Sequence, residues 1–284
     1  MTGPAVEGAS DRLRATLDGL AVAGRTARLW WRDDDLERPT PALVALLEAL
    51  GEHGIVPALA AVAGRVVPEA VAALAAGPGR LFVHGWRHTD HAGAGARKSE
   101  FGPERPVEQR LAEIADGRRR LMALAGDRAL ACFVPPWNRI GDDLLGRLGE
   151  SGIAALSGFA PPGRPAPAAA VPRLDTHVDL IDWRGSRLPL TVDAVAAALD
   201  DRLRRPVSAE RRESPVDGPV GILSHHLVTG AAAWRAWRPL LAVLSGHPAV
   251  RWLEPAAALA AAGVAPGRLP APGSGAGNET RRMG

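Results

Sequence analysis

Cysteine and lysine are nearly absent from this chain, and each scarcity closes off a class of protein. Cys132 is the only cysteine in 284 residues, so neither an intrachain disulfide framework nor a cysteine-ligated zinc site is available. It lies in the apolar run Leu130-Ala-Cys-Phe-Val134, the setting of a small buried core residue. Lys98 is the only lysine. The other basic side chains are arginines interspersed with acids, no Lys/Arg run occurs, and the formal net charge is only +3. Binding to nucleic acid or to a membrane surface is therefore not expected. The N-terminus lacks a charged head followed by an apolar stretch, and no apolar run is long enough to cross a bilayer. A cytoplasmic protein is the expectation. No repeat of fixed period is present.

What remains is an ordinary globular composition, 46% hydrophobic and 23% charged. Its pattern alternates strand and helix. Short apolar runs at residues 27–31, 55–62, 81–83, 129–134, 153–156, 178–181, 219–224 and 250–253 predict strands. Helical spacing predicts helices over 41–53, 68–76, 106–125, 142–150, 192–203, 234–244 and 255–262, and one surface helix within the first 24 residues. Thr40-Pro41 is a strong helix start, with Thr as the cap and Pro in the first helical position. Such alternation predicts an α/β fold with a parallel sheet and outer helices, and seven or eight strands suit a barrel. The expected organisation is an N-terminal extension over 1–24, one barrel domain over 25–263 and a Pro- and Gly-rich tail without packed structure over 264–284.

Polar residues cluster just after the strands. Asp33-Asp34-Asp35 follow the first, and His84-Gly-Trp-Arg-His88 the third. Pro135-Pro136-Trp137-Asn138-Arg139, Asp182-Trp183 and His225-His226 follow later ones. In a parallel barrel all of these lie at one face, where such folds keep their sites. Two histidines four apart, with one aspartate, make a two-histidine, one-carboxylate metal set that leaves positions for water and substrate. A second aspartate off the metal could take a proton from water, and His225 could give one to a leaving group. Asp179 or Asp182 could orient that histidine. A non-haem iron oxygenase uses the same ligand set, but the α/β alternation and the extra acid and base candidates count against it.

These five clusters, in this order and over about residues 29–226, resemble the motifs of the polysaccharide deacetylases (carbohydrate esterase family 4, NodB-like domains). The resemblance implies a distorted (β/α) barrel of seven or eight mainly parallel strands. It implies one divalent metal ion, with zinc first and cobalt, nickel or iron as alternatives. It also implies hydrolysis of an acetyl group from an N- or O-acetylated carbohydrate or related small amide. Carried onto this chain, it makes Asp33 the catalytic base. The metal ligands are His84, His88 and either Asp34 or Asp35, with Asp35 preferred. Pro136 and Trp137 line the groove, with the Trp137 backbone N–H on the oxyanion. Asp182 and Trp183 come from the fourth motif, and His225 is the general acid. His226 is a candidate substrate contact. The third motif usually reads Arg-Pro-Pro-Tyr, and here Val134 stands in place of its arginine, which contacts the base. Arg139 or Arg32 is the candidate replacement. A catalytically inactive glycan-binding domain is the alternative that this departure supports. Lys98, Glu100, His91 and Trp86 are weaker candidates beside the site.

Overall fold

The computed structural model describes residues 8–74, 77, 79–160, 166–204 and 218–265. Helix α1 (Ala9–Val22) precedes β1 (Ala27–Leu36), α2 (Pro41–Gly51), β2 (Pro57–Ala61), α3 (Pro68–Ala73) and β3 (Arg80–His84). Then follow α4 (Val107–Ala125), β4 (Ala129–Val134), α5 (Asp142–Leu145), β5 (Ala155–Leu156), β6 (Thr176–Asp179) and α6 (Val192–Arg204). The chain goes on through β7 (Val220–Ser224), α7 (Ala231–Gly246), β8 (Val250–Trp252) and α8 (Pro255–Ala261). Every strand read from the sequence is present, and β1 runs five residues further than its apolar stretch, through the aspartates. The helix predicted over 68–76 ends at Ala73, and two of its last residues lie outside the described ones. So do most of the charged loop 204–219 and nearly all of the 264–284 tail. Among the described residues, no helix is long and apolar enough to cross a membrane.

All strand pairings are parallel, in the order β5-β4-β3-β2-β1-β7-β6, with β8 added against the start of β1. The two ends of this path meet. The chain just after β5 pairs with β6 through Thr176 N–H to Gly158 O at 3.0 Å and Ala160 N–H to Thr176 O at 2.8 Å. The result is the expected distorted barrel, closed on one side by irregular pairing. Helices surround it because each has one apolar stripe to bury. In α2 that stripe is Leu43, Leu46, Ala49 and Leu50, and the Thr40 hydroxyl caps the helix by accepting from Leu43 N–H at 3.1 Å.

Strand residues alternate between two cores. Leu29, Trp31, Leu81, Val83, Phe133, Val220 and Ile222 face the helices. Trp30, Ala58, Ala60, Phe82, Cys132 and Val134 fill the barrel itself. Trp30 fits there because β7 offers Gly221 opposite, where a Cβ would stand 2.7 Å from the indole nitrogen. This inside–outside alternation decides which residues at the strand ends reach the barrel mouth.

Candidate active site

Arg32 and Asp34 share the inward parity of Trp30, and Asp33 shares the outward parity of Trp31. The structure follows that rule. Asp33 is fully buried behind the barrel wall. One of its oxygens accepts from the Ser224 hydroxyl at 2.6 Å, and the other lies 2.5 Å from His226 Nδ1. Ser224 in turn accepts from the Trp31 indole at 2.9 Å. Burial lifts the pKa of Asp33 against the pull of His226 and Ser224. Asp33 lifts His226 against the effect of burial. The two groups form a tightly coupled buried pair in the wall.

Asp34 points into the barrel mouth and is gripped from below. Arg32 Nε lies 2.8 Å from Asp34 Oδ1, and Arg32 Nη2 donates to Oδ2 at 3.0 Å. The same guanidinium donates to Asn138 Oδ1 at 2.9 Å, Ser157 Oγ at 2.8 Å and the Gly158 carbonyl at 3.2 Å. A buried arginine with its donors placed this way fixes the carboxylate's orientation. His225 Nε2 lies 4.0 Å from Asp34 Oδ2.

Asp35 breaks the alternation. The pairing of β1 with β2 shifts register between Asp33 and Leu36, and Asp35 has φ +72°. A bulge of this kind re-aims a side chain, and it brings Asp35 to the same mouth as Asp34. Asp35 Oδ1 is 3.2 Å from His84 Nε2 and 3.3 Å from His88 Nε2. Ligand atoms of these three residues all lie within 4.8 Å of one another. His84 Nδ1 donates to the Val134 carbonyl at 3.0 Å, which turns Nε2 toward Asp35. Burial opposes charge on both Asp35 and His84. On Asp35 the two histidines outweigh it and hold the carboxyl well below the usual range. On His84 the carboxylates of Asp34 and Asp35 outweigh it and hold the pKa up. Burial and the adjacent His84 push His88 down to about 4. An oxygen and two imidazole nitrogens converging in this way fit a divalent transition metal.

The turn carrying the histidines is braced from behind. Gly85 has φ +62°, and a Cβ there would strike Pro136, 2.6 Å away, and the Glu100 carboxylate. Buried Glu100 accepts from the Trp86 N–H at 3.2 Å and the Arg87 N–H at 2.6 Å. His88, also left-handed at φ 54°, packs its ring on Trp137 with centroids 4.3 Å apart. Above them opens a cavity of about 870 Å³, lined by Asp34, Asp35, His84, His88, Trp137, Asp179, Trp183 and His225 among others.

No protein-family model matches the chain, and no curated protein matches it in sequence. Solved structures do match it in shape. A candidate polysaccharide deacetylase from Mycobacterium smegmatis superposes with a TM-score of 0.59 at 17% identity, covering 87% of this chain and 93% of the other. A mutant of the peptidoglycan deacetylase PdaC from Bacillus subtilis gives 0.52 at 15% identity, covering 84% and 91%. A mutant of a CE4-family pseudoenzyme gives 0.52 at 12% identity, covering 82% and 67%. The fold is that of the polysaccharide deacetylases.

Within this polysaccharide deacetylase fold, several residues singled out in the sequence stand elsewhere than expected. Asp33, expected as the base, does not line the cavity, because its outward parity turns it to Ser224 and His226. His226, expected on substrate, is buried as its partner. Asp182 sits on an exposed turn and accepts from the Gly185 and Ser186 N–H groups at 3.0 and 2.9 Å. The carboxylate that reaches the cavity from this motif is Asp179. It accepts from the Trp183 indole at 3.0 Å, and that indole stands edge-on to His225 with centroids 4.9 Å apart. Burial raises the Asp179 pKa. Pro136 packs against Gly85 behind the site, and Arg139 lines the cavity but donates to the Lys98 carbonyl at 2.7 Å. Of the two arginines weighed as replacements at Val134, Arg32 is the one that grips an aspartate. His91 is held by its backbone to Ser99 O at 2.9 Å, and Trp86 lies outside the cavity lining. Glu100 braces the histidine turn instead of facing the cavity, whereas Lys98 does face it. The strand parity of β1 was the available signal for Arg32 and Asp34.

Proposed function

We propose that this protein is a metal-dependent deacetylase-type hydrolase that removes an acetyl group from an N- or O-acetylated carbohydrate. One observation carries the reading. A three-residue metal set, an arginine-held carboxylate and a histidine from three separate strand ends surround one cavity. Asp35, His84 and His88 would hold a divalent ion such as zinc, cobalt, nickel or iron, which when bound would polarise the acyl carbonyl and acidify a water.

The chain's own residues supply the rest. Asp34, in place of Asp33, takes the proton from the attacking water, with Arg32 keeping its oxygens aimed at the mouth. The turn at Trp137 is closed by hydrogen bonds from Asn138 and Arg139, which leaves the Trp137 N–H out of them. That N–H donates to the carbonyl oxygen as it gains charge. His225, steadied by Trp183 and Asp179, delivers a proton to the departing nitrogen or oxygen.

The test pairs metal content with acetate release. The wild type should carry about one divalent ion per chain, and His84→Ala/His88→Ala should carry none. The loaded wild type should release acetate from at least one acetylated oligosaccharide in a wide panel. Failure to hold zinc, cobalt, nickel or iron after reloading, or binding of glycans without acetate release, would reject the hydrolase reading. The second result would leave a glycan-binding domain.

A further inference from the structure

The rim of the cavity is far more basic than the protein as a whole. Arg97, Lys98, Arg139, Arg184 and Arg187 all line it, and none of the five forms an ion pair among the described residues. Among the lining residues only Glu104 opposes them, once the acids of the inner site, Asp34, Asp35 and Asp179, are set aside; Asp90 and Asp182, in the same loops, direct their oxygens to backbone N–H groups. Arg173 also lines the cavity but is neutralised by Asp175 at 2.9 Å. Such a concentration of one sign around a concave, low-dielectric opening focuses potential on whatever enters.

The rim is also built in advance. Asp90 closes the loop after β3 by accepting from the Ala92 N–H at 3.0 Å and the Ser99 N–H at 3.1 Å, and that loop presents Arg97 and Lys98. Asp182 closes the loop after β6 in the same manner and presents Arg184 and Arg187. Arg187 holds φ 57°, with its N–H bonded to Asp182 O at 2.8 Å. Strands β3 and β6 are not neighbours in the sheet, so the two loops bring cations to the opening from different sides. Arg139, from the turn after β4, ties into the first loop through Lys98 O. Arg97 and Arg139 repel each other there, only partly offset by Asp90, and an anion between the rim cations removes that cost.

We propose that the acylated substrate carries an anionic group, a phosphate or a carboxylate, which Arg97, Lys98, Arg139, Arg184 and Arg187 bind at the rim while the acyl group enters the inner site. This rests on the deacetylase reading for the acyl end and on the rim charges for the anionic end. The metal set and Asp34 hold the reacting carbonyl below. The rim sets which acylated molecules are admitted, by charge-assisted hydrogen bonds to oxyanions.

Calorimetric binding tests the two ends apart. Three probes differ in one group: N-acetylglucosamine, N-acetylglucosamine 6-phosphate and N-acetylmuramic acid. At least one anionic sugar should bind about tenfold tighter than the neutral one, and raised salt should shrink that preference. The phosphate arm and the carboxylate arm identify which anion is read. In Arg184→Ala/Arg187→Ala, which alters exposed turn residues, the preference should fall to within about threefold of none. Equal binding of the three sugars, no binding of any, or a preference that survives in the double variant overturns the proposal. The last result would assign the anion to the metal set. Anion-selective binding without acetate release would reject the hydrolase reading and keep this one, and acetate release from neutral sugars without selectivity would do the reverse.

Discussion

Along β1 the side chains of Trp31 and Asp33 turn toward the helices, whereas those of Trp30, Arg32 and Asp34 turn into the barrel. Asp35 joins the inner set only because the strand bulges there and φ becomes positive. Three consecutive carboxylates therefore meet three environments: a buried histidine, a buried arginine and a pair of imidazoles. The consequences of removing them should separate cleanly. Asp34→Asn keeps the shape and most of the Arg32 contacts but cannot accept a proton. It should bind zinc within a few-fold of the wild type and lose about 10²- to 10⁴-fold in acetate release. Asp33→Ala leaves His226 buried without its partner and should cost about 3–5 kcal/mol of stability in urea unfolding. A stable Asp33→Ala with turnover as low as Asp34→Asn would return the proton-accepting role to Asp33. A motif comparison that counts aspartates cannot see this difference. The alternation of apolar residues two positions earlier can, because Trp30 inside the barrel fixes the direction of every second residue until the bulge.

At the level of elements, the site is a set of turns held by carboxylates. Glu100 clasps the two N–H groups after Gly85, Asp90 ties off the loop that follows, and Asp182 ties off the loop after β6. The strands and most helices were readable from apolar period and from punctuation such as Thr40-Pro41, because those signals are local. The part played by Glu100 was not, since it lies 14 residues from Trp86 in a Gly-rich stretch with no periodic pattern. Asp182 is the opposite case: it stands where a motif residue is expected, while its oxygens accept from the next turn of the chain. If Glu100 sets the histidine turn, Glu100→Ala should weaken zinc binding by about 10- to 100-fold, as loss of an outer hydrogen-bond partner does at other metal sites. Calorimetric titration with zinc at constant pH measures this. Unchanged affinity in a folded Glu100→Ala protein would mean that Gly85 and Pro136 alone hold the turn. Glu100→Gln, which keeps one acceptor oxygen, should fall between the two.

For the molecule as a whole, the question is whether α1 is an appendage or part of the barrel's cover. The sequence reading set residues 1–24 apart as an extension bearing a surface helix. Its apolar positions, Leu13, Leu17 and Leu20, form a narrow stripe in a polar segment, and the surface that covers them comes from the far end of the chain. In the structure these leucines are buried in the same apolar layer as Trp31, Trp234 and Trp237. Thr16 donates to Asp200 of α6 at 2.5 Å across 184 residues of sequence, and Arg204 reaches both of them. A helix joined to the core in this way should melt with it. Leu17→Ala removes a fully buried side chain and should lower the unfolding free energy by about 2–5 kcal/mol. Far-ultraviolet circular dichroism and tryptophan fluorescence should still report one coincident transition, because α1 itself contains no tryptophan, whereas Trp31, Trp234 and Trp237 lie in the layer it covers. An appended helix would give a different result. The helical signal of Leu17→Ala would then fall first, and the tryptophan transition would stay where it is in the wild type.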